Sequence, residues 1–400
     1  MYSDVAKEPA SRRRRADGAQ SRKRNVDVGT ENTPIRLAII GCGLAVEQCH
    51  LPALRRIAGL ELVALVDSDL ARLNRIADRA GVRRRHTDYR AMLDDAGVDL
   101  VAVCAPPQFH AEIGFAVFDA GKHLFMEKPL ALSLHDADLL VERMTGAAGK
   151  ALIGFNLRWH RLIRRARSII EGGALGPLAT IQTKFTSATA FPRELSTWRQ
   201  RHDWGGGVLF DLGIHHFDLW RFLAGCEVDE LFVHRRVDGP GHERATVCAM
   251  MANGVLVTSS FSHGVSDTNE LDICGAKASL RLSCYRSDSL RIYENGAPRG
   301  AVRHWPGDAF QALRNVPQSF ARLFDGGDII ASYRAQWQHF VDAIRSGAPI
   351  QPSFEEGRSA LQIALAAAQS ARNGQPVRLA QAAGTIAPLA TAAPGTSIVS

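Results

Sequence analysis

Cysteine is scarce in this sequence, with seven residues in a chain of 400, and no two of them form a Cys-x-x-Cys pair. An odd number of cysteines without paired spacing argues against a disulfide framework and against a zinc module. We therefore predict no metal site, and a reducing, cytoplasmic setting is the default expectation. Long apolar runs are also missing. None reaches the roughly 20 residues that a membrane-spanning helix needs, so we expect no membrane span.

Excess positive charge is scarce outside one segment. The formal net charge is +7, and residues 1–33 supply a surplus of three, with eight Lys and Arg against five Asp and Glu. Because the rest of the chain carries only +4, the charge does not require a surface for nucleic acid, and we expect no such partner. The arginines at 12–15 precede polar residues instead of an apolar stretch, so we do not expect an export signal there.

The composition is otherwise that of an ordinary globular protein, with 46% hydrophobic and 22% charged residues. A chain of 400 residues is too long for one compact core. Residues 1–33 and 381–400 lack apolar periodicity, which predicts disordered tails. Residues 34–155 alternate strands with helices, and residues 156–380 are rich in strands, so we predict one domain for each of these two ranges.

The clearest motif joins a strand to a helix near the start of the first domain. Residues 35–40 form an apolar run that turns sharply at Gly41-Cys42-Gly43. Glycines let a ligand approach the backbone, and unpaired N–H groups at a helix start favour a pyrophosphate. A second run, residues 60–66, ends in Asp67, whose carboxylate can accept ribose hydroxyls and repels a 2′-phosphate. The residues predicted to bind NAD, with NADP less favoured, are Gly41, Gly43, Leu44, Ala45 and Asp67.

Two later strands of this domain end in residues that can carry chemistry. A strand over 100–104 stops at Ala105-Pro106, and a strand over 123–126 runs into Glu127-Lys128-Pro129. Strands that alternate with helices predict a doubly wound parallel sheet, whose ligands bind beyond the carboxyl ends of the strands. Lys128 would then stabilise alkoxide character on a reacting hydroxyl. Each motif has a plainer alternative. The glycine turn could simply join two core strands, since Val46 stands where a third glycine is usual. Lys128 could be an exposed lysine in a turn.

The pattern changes after about residue 175 to short strands separated by turns such as Asn253-Gly254, which predicts an open, mostly antiparallel sheet. Residues 332–345 predict an amphipathic helix within this domain. The fold class is therefore α/β plus α+β, with an N-terminal Rossmann domain and a C-terminal sheet domain.

A triple glycine at 205–207 precedes the second candidate set of reactive residues. Asp211 and His215 lie four apart and share a face if the segment is helical. A carboxylate beside an imidazole orients the ring and stabilises the imidazolium that forms on proton uptake. His216 points roughly 100° away around the axis. The alternatives are a capped helix with a core histidine and a metal site with Asp218, for which no further ligand is arranged.

Taken together, these segments resemble the Gfo/Idh/MocA family of oxidoreductases, named for glucose–fructose oxidoreductase and inositol dehydrogenase. The resemblance covers roughly residues 35–379. Its matching segments are GCGLAVEQCHLPAL at 41–54, VD at 66–67, APPQFH at 105–110, AGKHLFMEKP at 120–129, GFNLRWH at 154–160 and GGGVLFDLGIHHFDL at 205–219.

The resemblance implies a catalytic set of Lys128, Asp211 and His215, with His215 as the proton acceptor. The positions that it assigns to the cofactor are Ala105, Pro106, His110, Glu127 and Lys128, and those that face the nicotinamide or substrate are Asn156 and Arg158. Trp198 is a candidate to stack on a sugar, and His216 is a weaker candidate for substrate binding. The family also implies a homo-oligomer that is joined through the outer face of the C-terminal sheet.

The first prediction for function is an NAD(P)-dependent dehydrogenase that acts on a hydroxyl carbon of a sugar, an inositol-like polyol or a sugar derivative. Two alternatives stay open: an NAD-dependent glycoside hydrolase of the same fold, and a non-catalytic NAD-binding regulator. Lys128, Asp211 and His215 argue against the regulator, since a regulator has no use for a proton acceptor.

Overall fold

The computed structural model describes residues 33–188, 197–239, 241–286, 289–296 and 327–379. The two predicted tails, residues 1–33 and 381–400, lie outside the described residues except for Thr33. No helix in the described part of the chain combines the length and the apolar character that crossing a membrane requires.

The first sheet is parallel and contains six strands in the order β3-β2-β1-β4-β5-β6. This is the strand order of a dinucleotide-binding, doubly wound fold, and it confirms the predicted Rossmann domain. The strands are β1 (Ile35–Ile40), β2 (Leu60–Val66), β3 (Arg84–His86), β4 (Leu100–Val103), β5 (His123–Glu127) and β6 (Ala151–Gly154). The helices between them are α1 (Leu51–Leu54), α2 (Leu70–Ala80), α3 (Tyr89–Leu93), α4 (His110–Asp119) and α5 (Leu134–Gly146).

The register of this sheet brings three strand ends together. Ile40 of β1 pairs with Val66 of β2 and with Val103 of β4. The residues that follow these strands therefore meet at one edge of the sheet. Strands β4 and β5 are buried along their whole length, as parallel strands with helices on both faces are expected to be.

The second sheet contains eight strands in the order β13-β12-β11-β7-β10-β9-β8-β14. All neighbouring pairs are antiparallel except β7 with β10, which confirms the mostly antiparallel prediction. Its strands are β7 (Leu178–Ser187), β8 (Val228–Gly239), β9 (His242–Met251), β10 (Leu256–His263), β11 (Thr268–Gly275), β12 (Ala278–Ser283), β13 (Arg291–Glu294) and β14 (Val377–Arg378). The remaining helices are α6 (Arg161–Glu171), α7 (Ile214–Ala224), α8 (Gly327–Ser346) and α9 (Phe354–Asn373).

One face of the second sheet is covered and the other is open. Buried and exposed residues alternate along the whole of β9, the pattern of a strand with one face on a core. Helix α7 packs on β7 and helix α9 packs on β8. Helix α9 also joins this core to the first sheet, because it contacts both α5 and β6.

Helix α8 follows the second sheet in sequence but packs on the first. Trp337, Phe340, Val341 and Ile344 of this helix are buried in one cluster with residues of β1, β2 and β5. The amphipathic stripe lies where the sequence predicts it. The sequence assigns this helix to the C-terminal domain, however, whereas the structure packs it on the first sheet. The first sheet is therefore completed by a helix that begins only at Gly327, whereas the last strand of the sheet ends at Gly154.

Candidate active site

The glycine turn after β1 lies against the end of β4. Gly41 has a φ of +93°, and a Cβ at this position would lie 2.6 Å from the carbonyl oxygen of Cys104, so only glycine fits. A Cβ on Gly43 would meet no described atom within 4 Å, which leaves open space beside the turn. Val46, in place of a third glycine, is fully buried in the core, so its bulk points away from that space.

The helical segment that follows the turn begins at Leu44 and Ala45 and has no side-chain cap. It continues through a π turn, Val46–His50, into α1. Its first N–H groups are unpaired backbone donors at the positive end of a helix, which suits a pyrophosphate. The turn, the open space at Gly43 and the uncapped helix start therefore fit a dinucleotide.

Asp67 lies at the end of β2 beside the glycine turn. Its Oδ2 accepts from Cys42 N at 2.8 Å, and its Oδ1 accepts from Asp69 N at 2.9 Å. Arg72 Nε also lies 3.1 Å from Oδ2. Because a carboxylate oxygen has two lone pairs, Oδ1 keeps capacity for another donor. Asp67 thus fixes the turn, and its role toward a ribose stays a prediction.

Lys128 and Asp211 come from different halves of the chain and meet at the edge of the first sheet. Lys128 Nζ donates to the carbonyl oxygen of Asp211 at 2.8 Å and lies 3.3 Å from Asp211 Oδ1. The other carboxylate oxygen lies 3.4 Å from His263 Nε2 and 3.9 Å from Arg199 Nε. Burial opposes ionisation of Asp211, but the charges of Arg199 and Lys128, together with His263, hold the pKa of its carboxyl well below the usual value.

His215 is close enough to this pair for both charges to act on its ring. Burial is the main cause that lowers the pKa of His215 well below its ordinary value, and the positive charge of Lys128 adds to it. The ring nitrogen Nδ1 has no hydrogen-bond partner among the described residues. The imidazole is therefore neutral at neutral pH, and a neutral imidazole has one acceptor nitrogen.

The predicted pairing of the Asp211 carboxylate with the His215 ring is not what the structure shows. Asp211 lies in a π turn, Leu209–Gly213, whereas His215 lies in the first turn of α7. A π turn widens the helix to i→i+5 hydrogen bonds, so residues four apart are no longer aligned. The carboxylate turns toward Lys128, His263 and Arg199 instead.

His110 and Glu127, both predicted at the cofactor, are buried beneath the sheet edge. The two ring nitrogens of His110 lie 2.6 Å from the carbonyl oxygen of Pro129 and 2.9 Å from that of Ala105. Glu127 Oε1 lies 3.0 Å from His50 Nε2. His110 thus ties the segments after β4 and β5 together, and its place at the cofactor stays a prediction. The carboxylate of Glu127 also contacts protein partners, although its residue ends β5 beside Lys128.

Arg158, predicted to face the substrate, is part of a buried ion cluster. Its Nε and Nη2 donate to the two carboxylate oxygens of Asp218 at 2.7 and 2.6 Å, and Nη1 donates to Glu356. Although burial alone would lower it, these carboxylates raise the pKa of the guanidinium. Arg158 is only 6% exposed and joins α7 to α9, and its assignment to the substrate stays a prediction.

His216, which was also predicted to contact the substrate, has a fully buried ring. Its Nδ1 lies 2.7 Å from Thr183 Oγ1 and its Nε2 lies 3.1 Å from Asn269 Oδ1. The ring is thus a hydrogen-bonded part of the core, and the role of His216 toward a substrate stays a prediction. Asn156 is buried and donates through Nδ2 to Ser332 Oγ at 3.1 Å, and Trp198 is half-buried; both stay predictions.

Three residues near the site were not predicted: His50, His263 and Trp337. His263 had a signal, because Val257, Ser259, Phe261 and His263 occupy the alternate positions of β10 that are buried. An alternating strand that ends in an inward histidine indicates a polar side chain at the rim of the core. Within the described ranges, no group of three His, Cys, Asp or Glu residues is arranged to hold a metal ion.

Comparison with known proteins agrees with this geometry. Residues 35–155 match the oxidoreductase family model for an NAD-binding Rossmann fold, and residues 167–379 match the model for the C-terminal alpha/beta domain of the same family. The chain is 27% identical to myo-inositol 2-dehydrogenase of Thermotoga maritima, over 88% of this chain and 100% of the relative. It is 29% identical to D-apiose dehydrogenase of Paraburkholderia graminis, over 86% of this chain and 89% of the relative.

Among solved structures, the chain superposes on levoglucosan dehydrogenase in complex with NADH with a TM-score of 0.74 at 19% identity. The match covers 88% of this chain and 100% of that structure, and it supports the fold. The two family models together span most of the chain, from the first strand of the parallel sheet to the last strand of the second sheet. The chain therefore belongs to the Gfo/Idh/MocA oxidoreductase family and carries its NAD-binding Rossmann domain.

Proposed function

We propose that the protein is an NAD-dependent dehydrogenase that oxidises a hydroxyl-bearing carbon of a cyclic polyol, a sugar or a sugar derivative. The observation that carries the proposal is the contact between Lys128 Nζ and Asp211, 3.3 Å from Oδ1, beside the neutral ring of His215. An ammonium, a carboxylate and an imidazole with an acceptor nitrogen are the groups that alcohol oxidation needs. The inositol and apiose dehydrogenases among the relatives support this reaction class.

Each residue of this set has a distinct task in the proposed mechanism. Bound NAD⁺ would supply the hydride acceptor, held by the glycine turn and Asp67. Lys128 donates to two oxygens of Asp211, the carbonyl oxygen and Oδ1. An ammonium has three N–H donors, so one remains for the substrate hydroxyl. Its positive charge stabilises negative charge that develops on that oxygen. His215 accepts the hydroxyl proton, and Asp211 holds the amine in position.

A substrate panel tests this proposal. The protein is incubated with inositols, aldoses, sugar acids and nucleotide-linked sugars, each with NAD⁺ and with NADP⁺, and reduced nicotinamide is followed by absorbance. A nitrophenyl glycoside in the same panel detects hydrolysis without net reduction. We expect Lys128→Met to lower kcat/KM by about 10²- to 10⁴-fold. Lys277→Met, at an exposed lysine between β11 and β12, is the matched control, and full turnover by Lys128→Met would remove the mechanism.

We propose that the segment before the triple glycine contacts the substrate. The guanidinium of Arg199 lies 5.4 Å from the ring centre of Trp198 and its Nε lies 3.9 Å from Asp211. A half-buried indole beside Arg199, which itself lies near the reactive carboxylate, suits a sugar ring. Asn156, near the end of β6, is the second candidate. Replacing Trp198 with alanine should raise KM for the sugar more than KM for NAD⁺.

We also propose a homo-oligomer that is joined through the open face of the second sheet. Met250 and Leu256 pair across β9 and β10 on that face and are 37% and 55% exposed. Light scattering should give a smaller particle for Leu256→Lys than for Leu70→Lys, whose side chain is 58% exposed on α2.

For the compartment we propose the cytoplasm, because all seven cysteines are free; cell fractionation tests this.

A further inference from the structure

We propose that His50 and Trp337 are positioning residues that hold Lys128 in place through Glu127. Trp337 on α8, His50 at the end of the first π turn and Glu127 at the end of β5 form a buried chain of hydrogen bonds, called here the Trp337–His50–Glu127 chain. It links a helix from the far end of the sequence to the reactive lysine. The proposal rests on the proposed function, in which Lys128 acts on the substrate hydroxyl.

The chain fixes the tautomer of His50. Trp337 Nε1 lies 3.1 Å from His50 Nδ1, and His50 Nε2 lies 3.0 Å from Glu127 Oε1. An indole N–H is only a donor, so Nδ1 must be the acceptor. The proton of the neutral ring is then on Nε2, which donates to the carboxylate. Without Trp337, the ionised carboxylate of Glu127 still requires the proton on Nε2, but Nδ1 no longer has a donor in this chain.

The ring of His50 is also held mechanically. It is fully buried and packs edge-on against three aromatic rings, with centroid distances of 5.5 Å to Phe125, 5.0 Å to Tyr333 and 5.9 Å to Trp337. Trp337 is itself stacked on Phe125 at 4.3 Å. The donor nitrogen of His50 therefore has one direction available, toward Glu127.

Glu127 passes this constraint to Lys128. Its Oε2 accepts from the backbone N–H of Lys128 at 3.2 Å while Oε1 faces His50. Two donors converge on one side chain, and only an ionised carboxylate offers acceptors on both oxygens. Burial alone would raise the pKa of Glu127, but the bond to His50 and the charge of Lys128 lower it.

The space around this carboxylate leaves little freedom. A Cβ on Gly154 of the neighbouring strand would lie 3.0 Å from Glu127 Oε1, which is closer than ordinary van der Waals contact. Gln336 on α8 also donates through Nε2 to the carbonyl oxygen of Ile153 at 3.0 Å. Helix α8 is thus joined to β6 as well as to β5. Lys128 follows β5 directly, so a shift of this chain moves the amine relative to Asp211.

The test compares two tryptophan variants in the full-length protein. Trp337→Phe removes the donor to His50 and keeps an aromatic ring. Trp220→Phe is the matched control, because Trp220 is also fully buried and its Nε1 has no partner among the described residues. We expect Trp337→Phe to lower kcat by about 10- to 100-fold, the cost of a small misplacement of a reactive group, with KM for NAD⁺ nearly unchanged. Trp220→Phe should keep kcat within about twofold, because it removes only packing.

Two readouts need no turnover. Nitrogen NMR of ¹⁵N-histidine protein should show the proton of His50 on Nε2 in the wild type and in both variants, because Glu127 accepts from this nitrogen. The resonance of Nδ1 should shift in Trp337→Phe, which removes its donor, and should stay in place in Trp220→Phe. Hydrogen exchange of the Lys128 amide, followed by mass spectrometry, should be about tenfold faster or more in Trp337→Phe, which corresponds to weakening one hydrogen bond to a charged group.

The variants of His50 complete the design. His50→Leu removes both hydrogen bonds and should match or exceed the loss in Trp337→Phe, whereas His50→Gln keeps a donor for Glu127 and should recover part of kcat. If Lys128 exchange and the Nδ1 resonance of His50 are the same in Trp337→Phe as in the control, the positioning role is wrong. If these readouts change as expected but no polyol is oxidised by the wild type, the proposed function fails and the hydrogen-bond chain stands.

Discussion

The surroundings of His215 suit a proton acceptor, because they keep its ring neutral. In an unfolded chain a histidine has a pKa of about 6.5, and in the folded protein burial and the charge of Lys128 lower the pKa of His215 well below that value. Because the folded state binds this proton less tightly, the unfolded state is favoured as the pH falls below about 6.5. The lowered pKa of His215 thus reduces the free energy of unfolding only at acid pH.

The lowered pKa of His215 gives a direct test of its surroundings. In an NMR titration of the ¹⁵N-histidine protein, the ring of His215 should stay neutral well below pH 6.5, about the value of an exposed histidine. Lys128→Met removes the nearby positive charge and should move the titration of this ring to higher pH. Lys277→Met should leave it in place. A wild-type ring that titrates like an exposed histidine would contradict the geometry.

Arg158 shows that a polar residue in a family motif can be structural. Arg158→Met leaves the buried Asp218 without its bidentate partner, which should lower the free energy of unfolding by about 3–5 kcal/mol, measured by denaturant titration. Arg281→Met is the control, since Arg281 pairs with Asp272 on the surface and such pairs contribute about 0–1 kcal/mol. The folded Arg158→Met protein should keep its KM for substrate. A stable variant with a raised KM would return Arg158 to the substrate site.

At the scale of elements, the end of β2 should decide the coenzyme. Asp67→Ala removes a carboxylate that holds Cys42 N and that would accept ribose hydroxyls. We expect kcat/KM for NAD⁺ to fall by about 10- to 100-fold, in line with lost hydrogen bonds to a charged group, and the ratio of NADP⁺ to NAD⁺ use to rise. Asp69→Ala is the control, since Asp69 caps α2 by accepting from Arg72 N and lies two residues further on. An unchanged coenzyme ratio in Asp67→Ala would contradict the assignment.

The sequence predicts those parts of the site that follow from strand ends. Gly41, Asp67 and Lys128 each follow an apolar run, and parallel strands bring such residues to one edge. The orientation of Asp211 was not predictable, because a π turn and an α-helical turn share the same apolar spacing over five residues. His110 and His216 sit in segments that match the family, yet their rings satisfy buried backbone and side-chain groups. A motif contains residues that build the site as well as residues that act in it.

At the scale of the whole molecule, contacts between distant segments are what the sequence does not reveal. The stripe of α8 predicts that Trp337 and Phe340 are buried, but no local pattern says which sheet they cover. The structure places them on the first sheet. The family models divide the chain after residue 155, whereas the hydrophobic core does not divide there. The domain that contains the first sheet and helix α8 therefore depend on one another for stability.

This dependence leads to a prediction about fragments. Residues 33–155 expressed alone should expose the surface that Trp337, Phe340 and Ile344 cover, and should aggregate or bind a hydrophobic dye. Joining residues 327–350 through a Gly/Ser linker of about ten residues should restore a monomer that binds NADH, followed by fluorescence. A short linker suffices because Asn156 contacts Ser332 near the start of α8, and ten flexible residues span roughly 15–20 Å.

The control is the same fusion with Phe340→Asp, which puts a charge against the sheet and should aggregate like the fragment without the helix. Since α8 also carries Trp337, the Nδ1 nitrogen of His50 should have the same ¹⁵N chemical shift in the fusion as in the full-length protein, and a different shift in the fragment without α8. A stable, monomeric and NADH-binding fragment of residues 33–155 alone would contradict the prediction. In that case the first sheet would be an independent domain, and α8 would contribute to the position of Lys128 without contributing to the fold.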